Sequence, residues 1–337
     1  MSGLPKFLLR RLAYLIPQLF GILLLSFCLI KTIPGNPAVL MLGPMAQPDS
    51  IAALTKRLGL DQPLPVQFLI YLKDLAHGDL GTSWQTTRPV LSDLIDRFPA
   101  TIELVTFGLL VAILIGVPLG ILSAMRQKSV TARIAELYGL VTGALPDFWI
   151  GLLLIFVFYT ILGWAPAPLG RIDIAVIAPP TVTGFLTIDS LLDGNLDAFF
   201  SAISHLVLPV LTLGLINAGP IMKMTHSTME RMLQSDFSRF EVMSGLPRRL
   251  VMRHALHNAL PPILTIISVL YGFLLGGAVL VEIVFSWGGA GQYAVQGVLN
   301  ADIYPVLGFV LFAAVFSLFV YLLVDIAYFL LDPRIGR

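Results

Sequence analysis

Six stretches of this chain hold almost no charge, and that pattern constrains the fold more than any other feature. Leu12 to Ile30, Leu104 to Met125, Leu137 to Ala165, Leu206 to Met222, Asn258 to Val281 and Ile303 to Val324 contain no Asp, Glu, Lys or Arg except Asp147 in the third. A helix crossing a bilayer needs roughly 20 mainly apolar residues, because each residue rises about 1.5 Å through a hydrocarbon core of about 30 Å. The runs therefore predict an all-α polytopic membrane protein with six transmembrane helices. Composition agrees, with 57% hydrophobic and 12% charged residues where a soluble domain carries about 25% charged. The fourth run is the weakest span, being short and containing Pro209, Asn217, Gly219 and Pro220; such residues are tolerated where packing or a water-lined cavity satisfies the backbone.

Orientation follows from the basic residues, which accumulate on the cytoplasmic side of short loops. An even number of spans puts both termini on one side. The tail before the first run has 3 Lys/Arg, 126–133 has 3, 223–253 has 6 and the C-terminal end has 2, which is 14 of the 21. Both termini are predicted cytoplasmic. The first run is read as a retained helix rather than a cleaved signal, since Lys31-Thr32-Ile33-Pro34-Gly35 follows it instead of a small-x-small site. In the long outer loop, Ile51, Leu54 and Leu58 recur at helical spacing, with Asp49 or Ser50 to cap the start and Gly59 to end the helix. Val66 to Leu75 reads as a second short helix.

Several functions are excluded by what is missing. A net charge of +1 offers no basic field for nucleic acid. Cys28 is the single cysteine, so neither a disulfide framework nor a cysteine metal cluster can form. No G-x-x-x-x-G-K-[ST] loop occurs, no H-E-x-x-H helix and no G-x-S-x-G elbow. The pair His254 and His257 lacks a convincing third ligand. Neither ATP binding nor catalysis is expected of this chain.

The longest cytoplasmic segment, about 223–258, carries +3 from 6 basic and 3 acidic residues, yet it contains Met224, Met229, Met232, Leu233, Phe237, Phe240, Val242, Met243 and Leu246. So apolar a loop calls for a protein partner. Gly245-Leu246-Pro247 predicts a turn between two short helices. This segment resembles the inner-membrane permease subunits of ABC importers, specifically the dipeptide and oligopeptide permease family. Gly245 matches the glycine of that family's E-A-A-x3-G signature, and His254-Ala255-Leu256-His257-Asn258-Ala259 with Pro261 resembles its H-A-L-R-N-A-x-x-P. Glu241 departs from the family, standing where a small residue is usual, and the spacing from Gly245 to His254 is one residue short. Further matches run in order along the chain. They are Ile33-Pro34-Gly35-Asn36-Pro37, Leu58-Gly59-Leu60-Asp61-Gln62-Pro63, Gly78-Asp79-Leu80-Gly81-Thr82-Ser83, Arg97 with Pro99-Ala100-Thr101 and Glu103-Leu104, and Pro146-Asp147-Phe148-Trp149. Beyond these come Glu282 with Phe285-Ser286-Trp287 and Gly289, then Asp325, Tyr328 and Asp332-Pro333-Arg334.

The resemblance implies a type I ABC importer transmembrane fold, laid out as a tail with the first helix (1–32), an extracytoplasmic loop (33–100), a five-helix transmembrane domain (101–331) and a cytoplasmic tail (332–337). It implies that Phe237, Phe240, Glu241, Gly245 and Leu246 meet an ATP-hydrolysing subunit. The implied partners are a homologous second permease, two ATP-binding subunits that hold the ATP and Mg, an extracytoplasmic solute-binding protein and the lipid bilayer. The implied substrates are di- or oligopeptides or a related small solute. Asp147, Asn217 and Glu282 are the candidates for the translocation path. A deep carboxylate such as Asp147 is costly and must face a partner, the bundle interior or water. A self-sufficient secondary transporter would instead show inverted repeats and charges at several mid-membrane positions.

Overall fold

The computed structural model describes residues 4–31, 37–43, 45–57, 59–126 and 128–331. The motif residues 33–36, Leu58 and 332–334 lie outside them, as does the C-terminal segment 332–337. Among the described residues there are helices and one isolated bridge, Thr82 to Pro89, with no strand. In chain order the helices are α1 (Leu4–Lys31), α2 (Pro37–Leu42), α3 (Pro48–Arg57), α4 (Leu64–Ala76), α5 (Val90–Met125), α6 (Val130–Ala144) and α7 (Asp147–Leu154), which continues as a π-helical turn over Ile155–Ile161. They are followed by α8 (Leu186–Leu192), α9 (Leu196–Gln234), α10 (Asp236–Met243), α11 (Arg248–Val284), α12 (Ala290–Leu299) and α13 (Ile303–Leu331). Four of these, α5, α9, α11 and α13, are long and apolar enough to cross a membrane, and a bent pair makes a fifth. The first of the six expected runs lies in α1, whose described apolar stretch is Ala13–Cys28.

The third run is not one helix. It breaks at Leu145 and Pro146, and α6 and α7 meet at 104°. Proline has no N–H to donate and pushes the residue before it out of the helical region, and Leu145 is accordingly extended, with φ −103° and ψ 134°. The fourth and fifth runs err in the other direction. Helix α9 begins ten residues before Leu206 and runs twelve past Met222, through both prolines, and α11 begins at Arg248.

The residues form two compact units, one of Met1–Ala100 with Gly288–Leu318, the other of Thr101–Trp287 with Phe319 onward. In the first, Leu23 and Phe27 of α1 and Phe68 of α4 form a buried cluster, with Tyr71, Leu72, Leu75 and Leu311 packed on it. The two short helices α3 and α4 stand as their spacing predicts, α3 stopping before Gly59 at φ +63°. The Gly78 to Ser83 motif has a physical reason here. Gly81 has φ +82° and lies against the Tyr304 ring where any Cβ would collide. Its N–H donates to Asp79 at 2.8 Å, and the Ser83 hydroxyl donates to the buried Asp302 at 2.6 Å. Asp93, also buried, accepts from Thr86 at 2.5 Å and from the Tyr293 hydroxyl at 3.0 Å.

In the second unit α5 and α9 approach closely through small residues. A Cβ at Gly108 would stand 2.9 Å from the Leu213 side chain, and one at Gly120 would stand 2.5 Å from that of Thr225. Without a hydrophobic force between helices in lipid, such close backbone packing holds spans together. Ala124 of α5, Met229 of α9 and Ala255, Ala259 and Ile263 of α11 form the buried cluster at one end of this bundle.

Candidate functional site

Three groups of residues in the second unit bear on function: a short helix with an apolar face, a polar pair in the spans, and a charged brace on a loop. The short helix is α10. Ser235 starts it, its hydroxyl accepting from the Ser238 N–H at 3.4 Å. It ends in a double hydrogen bond, Leu246 N–H to the Glu241 carbonyl at 3.1 Å and Gly245 N–H to the Val242 carbonyl at 3.1 Å. That motif needs a left-handed residue at its hinge, and Gly245 supplies φ +80°. Nothing lies within 4 Å of where its Cβ would be, so glycine is required for its backbone and not for a tight fit within this chain. The expectation of two short helices is half right. The second is α11, which continues unbroken for 37 residues.

Of the five residues expected to meet an ATPase, Phe240 is 70% exposed and Phe237 is also on the surface, with Val242 and Met243 beside them. Leu246 is half-buried. Glu241 points the other way. It is 7% exposed, and its Oε1 lies 2.6 Å from His254 Nδ1 on α11 while Oε2 has no hydrogen-bond partner. The residue that departs from the family pattern is thus an internal brace between α10 and α11.

Asp147 and Asn217 come together. Asp147 opens α7 directly after the break, half-buried, and the Asn217 side chain is its hydrogen-bonding neighbour. Asn217 is itself buried and donates to the Leu213 carbonyl at 2.8 Å. Glu282 has different company. It is fully buried and accepts from the Thr101 hydroxyl at 2.6 Å, while its own carbonyl accepts from the Trp287 N–H at 2.8 Å.

The third group was missed by sequence reasoning. Glu103, buried in α5, receives the Arg171 guanidinium at 2.5 Å, the Thr187 hydroxyl at 2.5 Å and the Thr187 N–H at 3.1 Å. Arg171 also lies 5.8 Å from the centre of the buried Trp287 ring. Beside it, Asp189 accepts from the Thr183 hydroxyl at 2.7 Å and from the N–H groups of Thr183, Gly184 and Val182 at 2.8, 2.9 and 3.3 Å. Burial alone would raise the Asp189 pKa; these hydrogen bonds outweigh it and hold the group below the ordinary carboxylate value. The signal was present in the motif containing Thr101 and Glu103, but the partners stand 68 to 181 residues away.

Comparison with known proteins gives a consistent result. Residues 116–337 match the family described as binding-protein-dependent transport system inner membrane component, and residues 4–105 match the N-terminal region of such membrane components. The chain is 42% identical over 318 residues to the probable D,D-dipeptide transport system permease protein DdpB of Escherichia coli, covering 94% of this chain and 93% of that protein. It is 42% identical over 330 residues to the dipeptide transport system permease protein DppB of Alkalihalophilus pseudofirmus, covering 97% and 98%. To the di/tripeptide transport system permease protein DppB of Pseudomonas aeruginosa it is 40% identical over 333 residues, covering 98% of each.

Proposed function

The chain belongs to the family of binding-protein-dependent transport inner-membrane components, and on that premise we propose that it is the permease subunit through which an ATP-driven importer passes short peptides. The observation that carries this reading is the α10 segment. An exposed apolar helix face, ended at a glycine hinge and braced from within, is the surface a partner ATPase would grip. ATP and Mg belong to two such partner subunits, and hydrolysis is theirs. A homologous second permease completes the path, and an extracytoplasmic solute-binding protein delivers the substrate. Closure of the ATPase pair moves α10, and through α11 the spans, between outward-open and inward-open states. Asp147 and Asn217 line the path, and Glu282 serves as a brace of the outer turn. The relatives' substrates are dipeptides and tripeptides by name, which is what makes short peptides the class assigned here.

In the proposed orientation both termini and α10 face the cytoplasm of a cell bounded by this inner membrane. Cys28→Ser leaves a thiol-free chain for topology. Cysteines placed by Ser129→Cys and Ser235→Cys should react with an impermeant maleimide only in opened cells, and one placed by Thr86→Cys should react from outside; the reverse pattern overturns the orientation. For activity, the complex reconstituted in proteoliposomes with its binding protein and ATP should accumulate radiolabelled Ala-Ala. ATP-independent accumulation driven by an ion gradient would instead establish a secondary transporter.

A further inference from the structure

Asp147 and Lys223, in the second unit, each make no ion pair with any described side chain. One is Asp147, whose neighbour is the neutral Asn217 amide. The other is Lys223, which belongs to α9, six residues after Asn217 and so about 9 Å further along the axis. A lysine at the end of a span ordinarily turns its ammonium back toward water. Lys223 is exposed in this chain, but its stem follows α6. Its side chain lies along a trough formed by Gly139 and Gly143 of α6: a Cβ at Gly139 would come within 2.7 Å of Lys223 Cε, and one at Gly143 would stand 3.8 Å from Nζ. Of these two glycines, Gly143 is the nearer in sequence to Asp147, four residues before it. The ammonium is thus carried toward the break that presents Asp147.

Around the base of Lys223 opens a cavity of about 520 Å³ between α5, α6 and α9, lined in part by Glu136, Leu140, Met222, His226 and Glu230. Three of its polar groups are engaged within the chain, His226 lying 2.8 Å from Ser123 Oγ and 3.6 Å from Glu230. Lys223 is not. Glu136 lines the same cavity as Lys223, whereas Asp147 in its span has only a neutral neighbour, and a solute of a single charge answers one of the two groups. A solute carrying both relieves both and adds no net charge. The charged ends of an extended dipeptide lie about 7 Å apart, and the four-carbon lysine stem takes up the difference from the helical rise.

We propose that Lys223 and Asp147 are the two poles of a station in the path that reads a zwitterion, Lys223 taking the carboxylate of a short peptide and Asp147 its ammonium. This rests on the peptide-import reading above and adds to it a specificity-determining residue, Lys223. The trough makes the assignment specific to this geometry, since a Cβ at 139 would stand 2.7 Å from Lys223 Cε and shift the stem, while one at 143 would make only ordinary contact.

The test uses the full complex in proteoliposomes with its binding protein and Ala-Ala as probe. Lys223→Gln should reduce the Ala-Ala delivered per ATP by about tenfold, as expected when one partner of a charge pair with the substrate is removed. Lys223→Arg, keeping the charge, should stay within about threefold of wild type. In a Cys28→Ser background, Lys223→Cys should be inactive until treated with 2-aminoethyl methanethiosulfonate, which restores an ammonium on a similar stem, and should stay inactive with the sulfonatoethyl reagent. Ala-Ala under turnover should slow both modifications. The proposal is overturned if Lys223→Gln delivers Ala-Ala at the wild-type yield, if both reagents restore transport equally, or if Ala-Ala gives no protection. It is also overturned if Lys223→Gln and Lys223→Arg both prevent assembly, which would make the lysine structural. Wild-type complex that moves no Ala-Ala would overturn the peptide reading, and this proposal with it.

Discussion

The loop from Leu162 to Asn195 and the segment from Ser235 to Pro247 both expose large apolar side chains, Ile174, Ile177 and Val182 in one and Phe240, Val242 and Met243 in the other. They differ in how they are fastened. The first is fixed to the helices by Glu103 with Arg171 and Thr187, and within itself by Asp189 with three backbone N–H groups. The second is tied to α11 by Glu241 with His254 and to the end of α9 by the Ser235 and Ser238 hydroxyls on the Met232 carbonyl, and it turns on the hydrogen bonds around Gly245. A surface held by a multiply bonded buried charge keeps its shape when touched. A short helix tied to α9 and α11 at its two ends and turned at a glycine hinge transmits a push. The contrast is what an importer subunit requires if one face recognises a rigid partner and the other receives the motion of an ATPase.

The largest expected effect lies in the fastened loop. Glu103→Ala leaves the half-buried Arg171 and the Thr187 hydroxyl and N–H without their buried anion, and losing hydrogen bonds to a charged group costs about 1.5–3 kcal/mol each. Thermal unfolding of the purified complex in detergent should show this as a clear loss. A change under about 1 kcal/mol, the range of an ordinary surface pair, would mean that the loop is no better held than α10, and the comparison would fail.

An intermediate effect belongs to the hinge. Gly245→Val forces a β-branched residue to φ +80°, a cost of about 1–2 kcal/mol with no steric clash to add, since the space around it is open. Gly245→Asn, which tolerates that conformation, should retain coupling. Binding-protein-stimulated ATP hydrolysis should therefore drop by about tenfold with valine and change little with asparagine; equal loss in both would point to a contact at that position and not to backbone geometry.

The smallest effect is a pH dependence. Because the folded Asp189 pKa is depressed, its contribution to the loop is complete above the unfolded value of about 4 and is lost as pH falls through the folded value. Acid should therefore loosen this loop, seen as faster backbone hydrogen exchange at Val182 to Gly184 after correction for intrinsic rates. Asp189→Asn should loosen it by about 1 kcal/mol at neutral pH and remove the acid dependence; an unchanged dependence would assign the titration to another group.

Much of this was readable before any coordinates. Four of the six apolar runs became long spans because charge-free stretches of that length have no alternative in lipid. Gly245 was legible because a glycine between an apolar helix and a proline has one common use. The break at Pro146 was not, since prolines also sit inside α9 and α11 without ending them; whether a proline breaks or is absorbed depends on neighbours that are remote in sequence. The same holds for the partners of Glu103 and Glu241. His254 was noticed for its spacing to His257, but its contact runs to a glutamate 13 residues earlier, across a turn whose geometry had to be known first. The course of Lys223 over Gly139 and Gly143 depends on two helices meeting, and no pattern within either one announces it.

On the proposed reading, α10 meets the ATP-hydrolysing subunit while the fastened loop does not. Site-specific cross-linking tests it in the assembled complex, in a Cys28→Ser background, with a short bifunctional maleimide. The Phe240→Cys chain is predicted to form an adduct with the ATPase subunit, and the Ile174→Cys chain to form one only with the extracytoplasmic binding protein. An ATPase adduct from Ile174→Cys, or none from Phe240→Cys in a complex that still hydrolyses ATP on stimulation, would contradict the account.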